Sequence, residues 1–393
     1  MIASRQPETF LPFVSQRLSS KLGSAAAKSG EGYISHYGAW HGNAGDVMIV
    51  YAQQALLNKR FSQQKWVDEN HKKKVEAPDI ERINNDAKLV IVGGGGLLLP
   101  DRHRLIPNTD SDWLWNISMK NLAALQKPLI GFAIGYNRMK GQDDFRPFFN
   151  DHIAATIDRS VFFGLRNTSS LEKLATYLPS RLVDRLVLQP CPTNLMSRVD
   201  PPRWAAHRDP KKREVVFVLF MGFARLGIIE DKANIRRVAQ LAKRLHAQGW
   251  DIHIATHTNE ELAAIPAFEE ECVPFTHKML DMMSREAVVQ YYRSKNLVIG
   301  MRGHGVMLPY GLGVPVMGII NHVKVRYFLE EVKLGEYAVD LEDPVMTDKM
   351  FERVQQFDSD RQGFYDIMDR EQQRLWDITE RNLDGLEPYF NPA

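Results

Sequence analysis

Cysteine is scarce in this chain, and long apolar runs are missing from it. The 393 residues include two cysteines, Cys191 and Cys272, which lie far apart and belong to no Cys-x-x-Cys or Cys/His spacing. A disulfide scaffold and a zinc site are therefore both excluded. No apolar run reaches the roughly 20 residues of a membrane-spanning helix, and Met1–Ser20 is too polar for a secretory leader. We expect a cytoplasmic protein without a bound metal.

An excess of charge of one sign is also missing. The formal net charge is +2, so nothing favours a nucleic-acid partner, and the Lys72–Lys74 triplet is too short for a binding tail. Two nucleotide signatures fail as well. No Gly-Lys-Ser/Thr follows Gly93–Gly96, which excludes a P-loop, and the turn from Gly42 to Gly45 lacks the third glycine of a dinucleotide fingerprint.

The chain is long enough for two hydrophobic cores of about 150–200 residues each. Short β-branched runs alternate with amphipathic stretches on both sides of a proline-rich segment. We place an N-terminal domain at 1–195, a linker at 196–213, a C-terminal domain at 214–342 and a helical segment at 343–393. This pattern predicts an α/β fold of two Rossmann-like domains that face each other across a cleft, where ligands bind.

The strongest candidate for a functional site is the loop around Arg302 and His304. A predicted strand at Lys295–Ile299 precedes it, and a helix opening at Gly303–Gly305 follows. The first turn of such a helix offers N–H groups and a partial positive charge to an anion. Arginine supplies a permanent cation and histidine a proton near neutral pH. This combination suits an acidic substrate that must be protonated.

Two further cations come at comparable places. Arg166 ends the predicted strand Val161–Arg166 and precedes a helix that starts near Asn167. Lys324 follows the predicted strand after Pro315, so a parallel sheet would bring it close to the Arg302 loop. A surface position for Arg166 is the competing interpretation.

Glycine-rich turns form the remaining part of the predicted cleft. Asn43 and Gly45 belong to a strand-to-helix turn, with Asp46 as the helix N-cap. Gly94 and Gly95 lie in a run of four glycines after a strand, which suits a loop that approaches a ligand. Tyr33, Tyr37 and Trp40 lie near the first turn, where aromatic rings either stack on a sugar or pack in the core.

These motifs, taken in order, resemble the polysaccharide pyruvyl transferase family. The residues that carry the resemblance, over roughly 33–342, are Gly42-Asn43-x-Gly45-Asp46, Gly93–Gly96, Arg166 with Ser169, Arg302-x-His304-Gly305, and Gly313-Val314-Pro315. The resemblance implies a glycosyltransferase-B type fold. It also implies transfer of a pyruvyl group from phosphoenolpyruvate to a sugar of a cell-surface or exopolysaccharide glycan, forming a pyruvate ketal and releasing phosphate.

Phosphoenolpyruvate is a donor substrate, so no cofactor is required. Its carboxylate and phosphate need fixed cations, for which Arg302, Arg166 and Lys324 are candidates, with the helix N-terminus after Gly305 beside them. His304 is the candidate general acid. The acceptor is a sugar or a lipid-linked oligosaccharide, and the latter would bring the protein to a membrane surface. The sequence leaves open the acceptor, the ketal positions and the oligomeric state.

Two alternatives remain. The first is a nucleotide-sugar-dependent glycosyltransferase of the same fold, which often holds the ribose with a glutamate where this chain has Leu308. The second is a non-catalytic glycan-binding protein, which the presence of both Arg302 and His304 disfavours.

Overall fold

Two six-stranded sheets form the framework of the molecule. The computed structural model describes residues 32–39, 44–100, 109–138, 143–206, 208–209, 211–220, 232–321 and 323–391. The strands are β1 Tyr33–Gly38, β2 Trp66–Asn70, β3 Ala87–Leu98, β4 Leu129–Tyr136, β5 Ser160–Leu165, β6 Leu186–Leu188, β7 Glu214–Val218, β8 Asp251–Thr256, β9 Thr276–Met279, β10 Leu297–Gly300, β11 Val316–Ile320 and β12 Ala338–Asp340.

Helices connect most of these strands. They are α1 Ala44–Phe61, α2 Ala77–Asp86, α3 Met119–Ala124, α4 Phe148–Arg159, α5 Thr168–Ala175, α6 Ser180–Val183, α7 Met196–Val199, α8 Pro201–Trp204, α9 Lys232–Ala247, α10 Ile265–Glu270, α11 Arg285–Arg293, α12 Gly303–Gly311, α13 Val323–Glu331, α14 Met346–Ser359 and α15 Arg361–Phe390. Short 3-10 turns cover Pro192–Leu195, Asn259–Ala264, Leu280–Met282 and Gly335–Tyr337.

Every strand pair within the two sheets is parallel. The first sheet has the order β2-β1-β3-β4-β5-β6, and the second has the order β12-β11-β10-β7-β8-β9. In each sheet the order reverses direction beside the central strands, which is where doubly wound folds bind ligands. The prediction of two Rossmann-like domains is confirmed. The predicted linker at 196–213 holds the short helices α7 and α8.

The central strands are apolar along their whole length because helices cover both faces of the sheet. Every residue of β10 and β11 is buried. Helix α9 turns one apolar face to the second sheet and ends before Gly249, which adopts φ +84° as expected for a residue just beyond a helix end. Asn167 caps α5 as predicted, since its side chain accepts a hydrogen bond from the Ser170 N–H.

The long C-terminal helix α15 contacts both domains. Near its middle, Gln372 donates to the Tyr310 carbonyl of the second domain. Ten residues later, Asn382 donates to the Leu188 carbonyl of the first domain, at 2.8 Å. At its end, the Phe390 ring stacks on Phe61 with the ring centroids 4.1 Å apart. The helix therefore ties the two domains together through its side chains.

Three local predictions need correction. The glycine run was expected to be a loop, yet β3 continues through Gly93 and Gly95, which pair with Phe132 and Ile134 of β4. Asp46 was expected to cap α1, yet the helix begins at Ala44, so Asp46 lies in its first turn. Lys324 was expected at a strand end, yet it is the second residue of α13. The prediction for Asn43 lies outside the described residues.

Candidate active site

The starts of α1 and α12 meet where the two domains face each other. Gly45 in the first turn of α1 lies so close to His304 that an added Cβ would be 2.3 Å from the His304 Cβ. Real Cβ atoms do not approach that closely, so any larger residue at position 45 would push the two domains apart. Gly305 is constrained from the other side, because its Cβ would lie 2.6 Å from Val218. Both predicted glycines therefore serve close packing at the site.

His304 is the second residue of α12 and is nearly buried. Its Nδ1 lies 3.3 Å from the Asp46 carboxylate of the other domain, while its buried Nε2 has no hydrogen-bond partner. Burial lowers the pKa of His304 to about 3; Asp46 opposes this shift, and the positive charges of Arg166, Lys324 and Arg302 add to it. Without a ligand the ring is therefore neutral at physiological pH.

Arg302 is the N-cap residue of α12, and its side chain makes no capping hydrogen bond. Instead its Nη1 forms an ion pair with the buried Glu261 carboxylate. The other Glu261 oxygen accepts the His257 N–H at 2.6 Å. Burial raises the pKa of Glu261, while the Arg302 charge opposes that shift. A carboxylate that the sequence had not suggested therefore holds Arg302 in place.

Arg166 follows β5 and is 5% exposed. Its side chain packs against Gly135, where an added Cβ would lie 2.2 Å from Nε. That Nε has no hydrogen-bond partner, and no carboxylate of the described ranges lies at ion-pair distance from the guanidinium. Burial lowers the pKa of Arg166, although Cys191 and Asp46 act in the other direction. Arg166 is therefore a buried cation, which excludes the surface position.

Lys324 lies in the first turn of α13 and packs beside Gly303, where a Cβ would be 3.4 Å from the lysine Cδ. Burial lowers the pKa of Lys324 to about 7, and the charges of Arg302 and Arg166 lower it further, against Asp46. The sequence had predicted Lys324 as a fixed cation, whereas this lowered pKa makes its charge depend on pH near neutrality.

These groups form one electrostatic cluster with contributions from both domains. Arg166 and Asp46 come from the first domain, and Arg302, His304 and Lys324 come from the second. When Lys324 is protonated, the cluster contains three cations and the two carboxylates of Asp46 and Glu261. The N-terminal ends of α1 and α12 add partial positive charge. Such an arrangement is chemically suited to an anion and would place a neutral imidazole next to it.

Several candidates take other positions. Gly94 packs under α1, where a Cβ would lie 2.6 Å from Ile49 Cγ2, and Gly95 also faces Ile49. These two glycines thus support the helix that carries Asp46 and do not form an open loop. Tyr37 is 3% exposed and packs against Trp115, and Tyr33 is 8% exposed. Burial therefore excludes both tyrosines as a sugar platform, and Trp40 lies outside the described residues.

Comparison with solved structures establishes the fold class. The S. aureus protein MnaA in its UDP co-structure and a putative UDP-N-acetylglucosamine 2-epimerase from Listeria monocytogenes each match with a TM-score of 0.55. Their identities are 10% and 11%, and each alignment covers 92% of this chain and 97% of the neighbour. Identities this low establish the fold alone, which is of the glycosyltransferase-B type. No curated protein matches the chain significantly.

A family model identifies the chain more closely. The polysaccharide pyruvyl transferase model matches residues 43–323, so the chain belongs to that family and is a transferase of polysaccharide biosynthesis. The matched range includes Asp46, Arg166, Arg302 and His304. No helix of the described ranges is both long and apolar enough to cross a membrane, and these ranges contain no cluster of His, Cys, Asp and Glu suited to a metal ion.

Proposed function

We propose that this protein transfers a pyruvyl group from phosphoenolpyruvate to two hydroxyls of a glycan sugar. The observation that carries the proposal is Arg166, a buried guanidinium without a carboxylate partner among the described residues, which belongs to the same electrostatic cluster as Arg302 and Lys324. Burying such a charge is costly unless an anion compensates it. Phosphoenolpyruvate offers both a carboxylate and a phosphate, and arginine binds either group with paired hydrogen bonds.

The reaction balances without a cofactor. The methylene carbon gains a proton, and a sugar hydroxyl bonds to the adjacent carbon and gives up its own proton. Phosphate then leaves with the electron pair of its C–O bond. A second hydroxyl closes the ketal, and its proton ends on the released phosphate. The transferred unit becomes a methyl-bearing ketal, so two hydroxyls and one donor yield one ketal and one phosphate.

We assign the proton transfer to the carbon to His304. Its Nε2 is buried and unpartnered beside the three cations. The neutral ring must gain a proton before it can act as the acid. Binding of the anionic donor would raise the pKa of His304 and so favour this protonation. Its negative charges would offset those of Arg166, Lys324 and Arg302, which removes part of what depresses the pKa of His304. Protonation and donor binding would then occur together.

Incubation with phosphoenolpyruvate and a panel of sugars, read by phosphate release, tests the proposal. Release that requires both substrates supports it. Nucleotide-sugar transfer is the second candidate, because a neighbour of the same fold was solved with UDP. However, Leu308, which takes the place of the ribose-binding glutamate, is completely buried in the core. Transfer from a nucleotide sugar, without phosphate release from phosphoenolpyruvate, would overturn the proposal.

A further inference from the structure

The histidine of the site meets a carboxylate from the opposite domain. His304 Nδ1 lies 3.3 Å from Asp46 Oδ1. The His304 side chain is 10% exposed and that of Asp46 is 36% exposed, so the carboxylate is the more solvent-accessible partner of this pair. The other ring nitrogen, Nε2, is buried and has no hydrogen-bond partner. The two nitrogens of this imidazole therefore have different surroundings.

Which nitrogen of a neutral imidazole carries the proton depends on the hydrogen bond made by the other. The Asp46 carboxylate is an ion-pair partner of Nδ1 at 3.3 Å, and because it is negatively charged and can only accept, it favours the tautomer with hydrogen on Nδ1. Nε2 is then left with a lone pair that points away from Asp46. From that position it exchanges a proton with a bound molecule.

We propose that Asp46 is a positioning residue for His304, holding a proton on Nδ1 across the domain interface so that Nε2 is the nitrogen that exchanges the transferred proton during the reaction. The catalytic role of His304 rests on the proposed function, whereas the tautomer of its ring is independent of that function. The carboxylate would also stabilise the imidazolium once the donor is bound, in the way a buried aspartate supports a catalytic histidine.

The neighbours of His304 make the expected effect specific. The charges of Arg166, Lys324 and Arg302 oppose protonation of the ring, and His257 lies near the same ring. The Asp46 charge is the largest influence in favour of protonation. Removing the Asp46 charge would therefore have two opposite results. The imidazolium would lose support, which lowers kcat, and the cation cluster would become more positive, which tightens donor binding.

The interface also makes the contact depend on how the domains meet. Asp46 and Gly45 lie in the same turn of α1, and a side chain at position 45 would collide with His304. Gly45→Ala would move α1 away and separate the carboxylate from the ring while both residues remain. This variant would therefore break the contact between Asp46 and His304 without any change of charge.

Nitrogen NMR of the imidazole in the full-length protein tests the tautomer directly. His304→Gln identifies the resonances, and the exposed Asp158→Asn is the charge-matched control. The expected result is a protonated Nδ1 and an unprotonated Nε2 in the wild type, with a mixture of both tautomers in Asp46→Ala and in Gly45→Ala. A wild-type spectrum with the proton on Nε2 would overturn the proposal, whatever reaction the protein catalyses.

Kinetics with phosphoenolpyruvate test the positioning role. We expect Asp46→Asn to lower kcat by about 10–100-fold and to move the alkaline limb of the kcat profile to lower pH, with KM for the donor unchanged or reduced. A rise in KM with an unchanged kcat profile would make Asp46 a donor- or acceptor-binding residue and would contradict the proposal. If the wild type releases no phosphate, the proposed function fails, while the NMR result still decides the tautomer.

Discussion

Arg166 and Arg302 occupy matching places in the two domains, but the protein treats them differently. Each follows a strand of its sheet and precedes a helix. Arg302 is paired with the buried carboxylate of Glu261. Arg166 is buried more deeply, yet it packs against Gly135 and has no carboxylate at ion-pair distance among the described residues. The comparison teaches that one cation is held in place by the protein itself, whereas the other is left for a ligand to neutralise.

The largest effect is expected from breaking the pair that the protein supplies. Arg302→Met should lower the free energy of unfolding by about 3–5 kcal/mol, because it leaves the Glu261 carboxylate buried and unpaired. Chemical denaturation measures this change. Adding Glu261→Gln to Arg302→Met should recover much of the loss. If the single variant is as stable as the wild type, the ion pair does not hold Arg302.

Arg166→Met should have the opposite effect on stability. Its removal takes away a buried cation without leaving a buried anion, so the unliganded protein should be as stable as the wild type or more stable. Donor binding should weaken by about 2–4 kcal/mol, since a paired guanidinium–anion contact is lost. Thermal denaturation with and without phosphoenolpyruvate gives both values. The exposed Arg181→Met is the matched control, and an equal loss of donor binding there would remove Arg166 from the site.

Lys324 refines the comparison because its charge depends on pH. Its pKa is lowered to about 7, so the free protein loses this cation as the pH rises above 7, and donor affinity should fall there. Binding an anion at pH 8 should return the proton to the lysine. Calorimetric titrations in buffers of different ionisation enthalpy count the protons taken up. Lys324→Arg stays charged and should take up about one proton fewer than the wild type. Equal uptake would show that Lys324 is charged before the donor arrives.

The smallest effect concerns acid stability. The folded pKa of His304 is about 3, below its ordinary value of 6.5, so between these values the unfolded chain binds more protons. Stability due to this group is therefore complete above pH 6.5 and is lost as the pH falls toward 3. His304→Gln should flatten the decline between pH 6 and 4 by up to about 1.4 kcal/mol per pH unit. Burial also lowers the pKa of His36, to about 4, and this residue contributes equally to the pH dependence of stability in both proteins. Parallel curves for wild type and variant would contradict the shift.

The sequence predicted the site residues best where they all belong to a single strand-to-helix turn. The β10–α12 turn was predicted with Arg302, His304 and Gly305 in place, because hydrophobic runs and glycines mark such turns locally. Glu261 was missed because its partner lies 41 residues away in sequence. It follows β8, however, so the rule that polar residues at strand ends meet at one sheet edge offered a signal for it.

Local sequence patterns gave wrong predictions where the structure of a segment depends on tertiary packing. Four glycines in a row are typical of a loop, yet Gly94 is needed inside β3 because α1 leaves no room for a side chain there. The contact between Asp46 and His304 was also beyond the sequence, since it depends on how two separately folded domains meet. The pKa values of His304 and Lys324 depend on burial in the same interface and were unpredictable for the same reason.

Binding of phosphoenolpyruvate and of UDP to the unmodified protein tests the central claim most directly. Calorimetric titration at pH 7 would be run with each ligand on the wild type and on Arg166→Met. The account expects the wild type to bind phosphoenolpyruvate and not UDP, with binding weakened by about 2–4 kcal/mol in Arg166→Met. Binding of UDP without any response to phosphoenolpyruvate would contradict it.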